Sequence, residues 1–407
     1  MQYYDASDKQ RRSLKIPIIL FVISLGLLAG YFVYKTFHQK VVHLQNPTVK
    51  VEVAAPIVLP STVTGKYLFN GTTVWARAVE KYAYGDYNQP FSQLDTFDRN
   101  SYDAWSTDFE CPITNNTVPY ALQISSLIFN CRPEFLPAAS KYFNLYDLAN
   151  NHTDNQGGQK GLAETRQHLT SVPGMQFYGN FDPTILKDIC EVIALPVRVQ
   201  KEGSAEEKAQ LPVAFCAWHY FNYFRGPTSE ELAVVKQYAD VMPVLGFAEM
   251  GLEYQAAASE SVQQIAHQMV DTGLDFLIAN NPHWVQNAES YKGKLIVYST
   301  GNFIFDQLDT ETQRSASIDT TLKVQYDDNV AKWLTLGPSC ATFQDNCLQT
   351  AVQQGLRKVS ISLDYKIIAG QGGAGKVTHK ADASTQAAVE ARLNWAQVSK
   401  ELSAKQL

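Results

Sequence analysis

LPVAFCAWHYF (211–221), MPVLGF (242–247), LDFLIA (274–279) and KLIVYST (294–300) are four short apolar segments, each followed by polar residues. Their length and composition predict buried β-strands. Helical patterns separate them: Ser229 is placed to cap a helix that runs to about Asp240, and residues 261–273 put their apolar side chains on one face. Strands that alternate with helices in this way predict an α/β fold.

Side chains that can bind metals or polar ligands follow most of the predicted strands. They are Asp108, Glu110, Asn150, Asn151, His152, Asp154, Glu249, Glu253, Asn280, Asn281, His283, Asn302 and Asp306. In α/β folds the loops beyond the carboxyl ends of strands gather in one crevice, so these side chains should converge. Imidazole and carboxylate groups, with Asn as a neutral oxygen donor, suit Mn, Zn or Fe. The alternative is that Asn and Asp only form turns here. Turn formation is a sufficient explanation for any single loop, but it is a weaker explanation for all the loops together.

Length and composition indicate a large globular protein. The 407 residues are 45% hydrophobic and carry a formal net charge of −6, enough chain for one large domain or two ordinary ones. Proteins that bind nucleic acids usually have a basic patch or a basic domain. The acidic balance therefore predicts that nucleic acid is not a partner.

Near the N-terminus, IPIILFVISLGLLAGYFVY (16–34) has no charged residue. As a helix it would be about 28 Å long, close to the hydrocarbon thickness of a bilayer. Arg11, Arg12 and Lys15 precede it, and tyrosines lie at its far end. A cleaved signal peptide is the alternative, but no small-x-small cleavage site follows Tyr34. The positive charges predict a single-pass anchor in the cell membrane, with a cytoplasmic N-terminus and an extracytoplasmic main domain.

We expect five regions: a cytoplasmic tail, a transmembrane helix, a Pro- and Val-rich stalk, one large domain and a C-terminal helix. Their bounds are 1–15, 16–34, 35–64, 65–383 and 384–407. After residue 35, 29 Lys and Arg stand against 38 Asp and Glu, a net charge of −9. Anionic membrane surfaces are therefore not expected to attract this part of the chain.

All six cysteines lie in the part predicted to be exported, where disulfides form. They are Cys111, Cys131, Cys190, Cys216, Cys340 and Cys347. Six cysteines allow fifteen full pairings. Cys340 and Cys347 flank a short polar loop and are the pair that we expect, while buried free thiols are the alternative for all six.

The order of three motifs is recognisable. LANNHTDNQGGQKGLAET (148–165) resembles the family pattern LANNH, D, G, G and T, and ANNPHWVQNAESYKGKLIVYSTGNFIFDQ (279–307) resembles GHHPH, then E, Y, GK and a YSLGNF-type segment. ECPIT (110–114) is similar to the stretch around the family's NLE motif. Over about 65–310 the chain therefore resembles the CapA family of poly-γ-glutamate, or capsule, synthesis proteins in the calcineurin-like metallophosphoesterase superfamily. The resemblance implies a four-layer αββα sandwich.

The resemblance also implies metal ligands, and three of these positions are substituted. Thr72, Glu249 and Asn281 stand where the family has an Asp, a His and a His. Thr72 cannot bridge two cations as a carboxylate does, so an intact dinuclear centre is not expected. One divalent metal, or none, is expected on Glu110, Asn151, Glu249 and His283. A different registration, with Asn70 or Asp108 in place of the missing Asp, stays open.

By the same resemblance His152 is the candidate catalytic residue, and the candidate substrate-binding residues are Asn150, Glu253, Asn281, Asn302 and Asp306. We expect a CapA-like protein in synthesis, export or anchoring of a surface polymer of the poly-γ-glutamate or capsule type, with a degenerate metal site. Its partners would be the membrane and the polymer or other polymer-synthesis subunits. An active metal-dependent hydrolase of phosphoester or amide bonds is the alternative, and an assembly scaffold is a third, so enzymatic activity stays open.

Overall fold

The structure is a computed structural model that describes residues 26–36, 61–221, 225–342, 344–373 and 375–405, with the side chains of 341–345 excepted. The chain divides into two compact units, 1–57 and 58–407. In the first, residues 26–36 form a helix with exposed side chains. None of the helices in the described ranges combines the length and the apolar character needed to cross a membrane. The predicted segment 16–34 begins outside those ranges, and the predicted tail and most of the predicted stalk also lie outside them.

The second unit has fourteen strands among its described residues. They are β1 (Thr62–Thr73), β2 (Ala104–Phe109), β3 (Leu145–Asp147), β4 (Gln176–Tyr178), β5 (Cys190–Gln200), β6 (Glu207–His219), β7 (Val244–Glu249), β8 (Phe276–Asn280), β9 (Ala288–Tyr291), β10 (Lys294–Val297), β11 (Asn302–Ile304), β12 (Arg314–Gln325), β13 (Ser362–Gly372) and β14 (Thr378–Lys380). The four apolar segments predicted as strands are thus part of, or overlap, β6, β7, β8 and β10.

Helices connect and cover these strands. They are α1 (Arg77–Ala83), α2 (Tyr120–Ser126), α3 (Leu136–Ala139), α4 (Gln159–Thr170), α5 (Ser229–Ala239), α6 (Glu260–Asp271), α7 (Asp328–Thr342), α8 (Gln344–Gln353), α9 (Ala383–Leu393) and α10 (Trp395–Lys405). The predicted cap of α5 is wrong by one residue, because Thr228 is the N-cap and Ser229 is already helical. Thr228 and Glu231 exchange side-chain and backbone hydrogen bonds in a capping box, which fixes the start of the helix.

β1 is shared by two branches of the sheet, one that contains β5 to β10 and one that contains β2 to β4, and it also pairs with β12. Its first residues pair antiparallel with β5, and the strands continue in the order β6, β7, β8, β10 and β9. From Tyr67 onward β1 pairs parallel with β2, which leads to β3 and β4. Along its other edge β1 pairs antiparallel with β12, followed by β13 and β14. This mixed sheet with its helices confirms the predicted α/β class.

Alternation along β1 divides the apolar core between two faces. Tyr67 and Phe69 belong to one buried cluster, and Leu68 between them belongs to a second, because successive side chains of a strand point to opposite faces. On the first face the ring of Phe69 lies 5.7 Å from that of Phe247 on β7 and 5.2 Å from that of Phe276 on β8. Aromatic packing thus joins β1 to β7 and β8, two strands with which it forms no backbone pairing.

Three disulfides stabilise this unit, and the described residues include no free cysteine. The bonds are Cys111–Cys131, Cys190–Cys216 and Cys340–Cys347. The predicted pairing of Cys340 with Cys347 is confirmed. At the C-terminus, where the sequence predicts one helix over 384–407, the structure has α9 and α10, separated by Asn394 in the left-handed conformation with φ 54°.

Candidate functional site

Strand ends from both branches meet in one crevice. Asp108, near the end of β2, accepts hydrogen bonds from the hydroxyl of Thr72 on β1 at 2.7 Å and from Asn150 Nδ2 after β3 at 3.1 Å. Glu249, the last residue of β7, accepts a 2.6 Å hydrogen bond from the backbone N–H of Asn151. The polar residues that follow the strands therefore converge as expected.

A bulge in β1 determines how Asp108 is placed. The pairing of β1 with β2 shifts by one residue between Asn70 and Thr72, so Thr72 lies opposite Asp108. A Cβ on Gly71 would lie 1.9 Å from the carbonyl oxygen of Gly301, so only glycine fits this close approach. Asn70 is occupied elsewhere, by Ser317 and the carbonyl of Ser106. Of the two substitutes considered for the missing Asp, Asp108 is the one beside Thr72.

Three carboxyl groups are buried together in this crevice. Asp108, Glu110 and Glu249 are each at most 5% exposed. Burial, opposed by His283 and reinforced by Asp108, raises the pKa of Glu110 to about 8. Burial also raises the pKa of Asp108, and burial together with the charges of Asp108 and Glu110 raises that of Glu249 well above its usual range. Without a cation, burial makes all three groups harder to ionise than free carboxyl groups, and neighbouring negative charges add to this for Glu110 and Glu249.

The donor set has the chemistry of a divalent metal site. Besides the carboxyl groups it includes Asn151, whose Oδ1 is buried and has no hydrogen-bond partner in the described part of the chain. An orphaned amide oxygen beside buried carboxylates suits a hard or borderline cation. Yet nowhere in the described ranges are three His, Cys, Asp or Glu side chains arranged so that they could hold one ion. The ligand types therefore fit a metal, but the side chains are not grouped closely enough in this structure to form a coordination shell.

His152 lies at the wall of the crevice. Its ring stacks on Phe129 with the centroids 3.9 Å apart, its Nδ1 is 3.3 Å from Asn155 Oδ1, and its Nε2 is 3.8 Å from Glu110 Oε1. Burial lowers the pKa of His152 to about 4. The imidazole is therefore neutral near pH 7, a state suited to accept a proton rather than to donate one.

His283 has the opposite electrostatic setting. Its Nδ1 is 2.8 Å from Asn302 Oδ1, and its Nε2 is 3.7 Å from Glu253 Oε1. Burial alone would lower the pKa of His283, but Glu110, Glu253 and Asn302 outweigh it and raise this pKa to about 9. The backbone of His283 has φ 59° and that of Asn281 φ 97°, both strained for residues other than glycine. This turn holds a positively charged imidazole over the buried carboxyl groups.

The predicted substrate-binding residues divide into two groups. Four are buried and bonded internally: Asn150 to Asp108, Asn281 to the carbonyl of Gly251, Asn302 to His283, and Asp306 to Arg77. Glu253 differs, because its side chain is 36% exposed at the mouth of the crevice. In the structure the first four side chains hold neighbouring residues in place. Of this set, only Glu253 is open to a ligand.

Sequence reasoning missed Arg77 as part of this crevice. Its Nη2 is 3.0 Å from Asp306 Oδ1, and its guanidinium lies over the rings of Phe129 at 4.9 Å and Phe305 at 5.6 Å. The side chain is 16% exposed, and Arg77 has φ 54°. Arg77 follows the end of β1 at Thr73 closely in the sequence, but nothing there signalled that the two aromatic rings would enclose it.

Comparison with known proteins agrees with these motifs. The chain matches the family "Bacterial capsule synthesis protein PGA_cap" over residues 66–184 and 197–307. It is 36% identical over 92 residues to the PGA biosynthesis protein CapA of Bacillus subtilis (strain 168), covering 23% of this chain and 24% of that protein. It is 25% identical over 337 residues to the capsule biosynthesis protein CapA of Bacillus anthracis, covering 77% and 74%.

Among solved structures, TT1561 of Thermus thermophilus aligns with a TM-score of 0.34 at 12% identity, covering 63% of this chain and 94% of that chain. This similarity is too weak to support a conclusion. The family match does support a conclusion, because it covers more than half of the chain and includes every residue of the crevice described above. The chain therefore belongs to the bacterial capsule synthesis protein family.

Proposed function

We propose that this chain is a membrane-anchored, extracytoplasmic CapA-like protein that acts in synthesis, export or anchoring of a capsule-type surface polymer. The observation that carries the proposal is the family match over 66–184 and 197–307, which includes the crevice residues from both branches of the sheet. The names of the two Bacillus relatives make poly-γ-glutamate the first polymer to test. The apolar segment 16–34, with Arg and Lys before it, supports the anchor and its orientation.

A polyanion needs positive charge that the chain as a whole lacks, since the part after residue 35 carries −9. In the crevice Arg77 supplies a positive charge, which its ion pair with Asp306 partly offsets. We propose that one divalent cation, Mn, Zn or Fe, supplies more, held by Glu110, Asn151, Glu249 and His283. The unpartnered Oδ1 of Asn151 and the raised pKa values of the carboxyl groups support this. Such a cation would polarise and neutralise an anionic oxygen of the ligand.

In this proposal the site binds polymer or a partner subunit and hydrolyses little. The hydroxyl of Thr72 donates to Asp108, in a position where the resemblance implies a bridging carboxylate. With a neutral group there, the crevice lacks the charge that would hold two cations about 4 Å apart. The residues present are consistent with a degenerate site that retains a ligand.

A metal-dependent hydrolase of phosphoester or amide bonds is the second candidate, and the placement of His152 favours it. The neutral imidazole near Glu110 could take a proton from an attacking group. The mouth of the crevice is open beside Glu253, so a substrate could reach it.

Complementation separates the two candidates. A strain that lacks this chain should lose the cell-surface polymer, measured as glutamate released by acid hydrolysis of washed surface material. His152→Ala should restore polymer under the binding proposal and fail under the hydrolase alternative, and Glu249→Gln should fail under both. His379→Ala is the matched control, because His379 lies on β14 outside the family match. Unchanged polymer in the strain without the chain would contradict the proposed function.

Metal content tests the cofactor directly. Elemental analysis of the chain purified without chelators should find about one divalent ion per chain, and Glu249→Gln should lower that content. An ion-free chain, even after soaking with Mn²⁺ or Zn²⁺, would contradict the metal part of the proposal and leave polymer binding to Arg77 and its neighbours.

A further inference from the structure

The segment between Cys111 and Cys131 is unusual for the surface of a charged domain. Its 21 residues, CPITNNTVPYALQISSLIFNC, include no Asp, Glu, Lys, Arg or His. The disulfide Cys111–Cys131 closes it into a loop, which we call the apolar loop (111–131). A bridge between Ile113 and Cys131 adds backbone pairing at its base. The loop is therefore a constrained element.

Within the apolar loop, the only buried residue of helix α2 is the polar Gln123, while apolar side chains on and just after the helix are exposed. Gln123 is fully buried, donating to Glu80 Oε2 at 3.2 Å and to the carbonyl of Val118 at 2.8 Å, while its Oε1 accepts from the backbone N–H of Asn130 at 2.9 Å. Large apolar side chains point outward instead. Their exposed fractions are 54% for Leu122, 42% for Ile124, 55% for Leu127 and 50% for Ile128.

Aromatic and basic side chains border this surface. Tyr82 and Tyr120 are each 39% exposed and Tyr84 is 83% exposed. Lys81 Nζ lies 5.9 Å from the centre of the Tyr120 ring. An apolar centre edged by Tyr and Lys is the arrangement of side chains at a membrane–water interface, where amphipathic rings and long basic chains occupy the headgroup level.

We propose that the apolar loop inserts into the surface of the bilayer that anchors the chain. The proposal rests on the membrane anchor of the proposed function. The loop and the apolar segment 16–34 belong to one chain, so the anchor tethers the loop to that bilayer. An uncharged loop needs no anionic lipid, which is consistent with the net charge of −9 after residue 35. A protein partner would be expected to find charged groups at the rim of its contact, and this loop has none of its own.

Insertion of the apolar loop would also place the crevice next to the surface of the bilayer. Phe129, in the apolar loop, stacks on His152, and the backbone N–H of Phe129 donates to Asn155 Oδ1 at 2.6 Å. The loop that enters the lipid is thus the same loop that forms a wall of the site. A polymer leaving the membrane would meet the crevice at the bilayer surface.

Quenching of an introduced tryptophan by brominated lipid tests the insertion. The full chain carrying Leu122→Trp or Ile128→Trp is reconstituted in phosphatidylcholine vesicles with plain or brominated acyl chains, and the emission of the wild-type chain is subtracted. Val352→Trp is the matched control, because Val352 is 57% exposed on α8. We expect brominated lipid to lower the added emission by about half at both loop positions, since interfacial side chains reach the acyl boundary, and to leave Val352→Trp unchanged.

Equal quenching at all three positions, or none at the loop, would overturn the proposal, and the second result would leave a protein as the occupant. If carbonate washing removes the wild-type chain from vesicles, the anchor itself fails. In that case flotation of the chain with vesicles tests insertion. If the wild-type chain floats and the double variant Leu122→Ser, Ile128→Ser does not, the result supports insertion. If both float equally, or if the wild-type chain does not float, the result overturns it.

Discussion

Glu110→Gln tests the electrostatics of the crevice in the metal-free chain. In the folded chain burial raises the pKa of Glu110 from 4.5 to about 8. The folded state therefore binds this proton more tightly than the unfolded state does. The stability that the proton contributes is complete below pH 4.5 and is lost as the pH rises toward 8. Glutamine cannot ionise, so the variant keeps its stability over the same range.

The size of the effect follows from the pKa difference. Each pH unit between the two pKa values changes the free energy of unfolding by about 1.4 kcal/mol. Between pH 5 and pH 8 the wild-type chain should therefore lose about 3.5 kcal/mol more than Glu110→Gln does, since the slope falls off close to each pKa. Glu110 is 3% exposed, so solvent screens its charge little. Because the charge of Glu110 also raises the pKa values of Glu249 and His283, the measured difference includes their altered titration.

Urea unfolding of both chains in EDTA, at unit steps from pH 5 to pH 8, measures this difference. Glu253→Gln is the control with the opposite sign, because a hydrogen bond from His283 lowers the pKa of Glu253. Its ionised carboxylate stabilises the fold fully above the usual pKa of 4.5, so Glu253→Gln should be less stable than the wild-type chain by an amount that stays constant from pH 5 to pH 8. A difference between wild type and Glu110→Gln that does not change with pH would refute the reasoning, as would equal slopes for the two variants.

Three further predictions concern single contacts. Thr72→Asp places a second carboxylate beside Asp108 and should destabilise the EDTA-treated chain by roughly 3 kcal/mol while strengthening Mn²⁺ binding in equilibrium dialysis; an effect no larger than that of Thr72→Asn would contradict this. Replacing Cys111 and Cys131 together by Ser should lower the free energy of unfolding by about 3 kcal/mol, because a loop with a sequence separation of 20 is released; a loss below about 1 kcal/mol in urea unfolding would argue against it. Phe69→Ala should cost about 3–5 kcal/mol by the same assay, since it empties the centre of the aromatic core, whereas Leu308→Ala, at a position 70% exposed, should stay within about 0.5 kcal/mol.

Several features could be predicted from the sequence because they depend on local pattern. The apolar segments 211–221, 242–247, 274–279 and 294–300 were long and regular enough to indicate strands, and the helices between them made the α/β class predictable. Strand ends in such a fold lie at a common edge, so the convergence of Asn150, Glu249 and His283 on one crevice was also predictable. The loop between Cys340 and Cys347 was short enough to suggest their pairing.

Other features depend on register between distant segments, which no local pattern encodes. The bulge at Gly71 shifts β1 against β2 by one residue, and that shift alone places Asp108 beside Thr72. Arg77 and Asp306 meet across more than two hundred residues, so their pairing follows from the packing of α1 against the segment after β11. Whether Asn150 and Asn302 bind a ligand or bond internally was likewise decided by their neighbours.

The amino-acid sequence by itself determined the class of the fold and the chemical character of the crevice, because periodicity and residue type act over a few residues. The tertiary structure decided which polar groups are left unpaired, as at Asn151, and which apolar ones stay exposed, as at Leu122. Burial of a side chain is a property of everything packed around it. For that reason a buried Gln123 between exposed Leu122 and Ile124 could be found only in the folded chain.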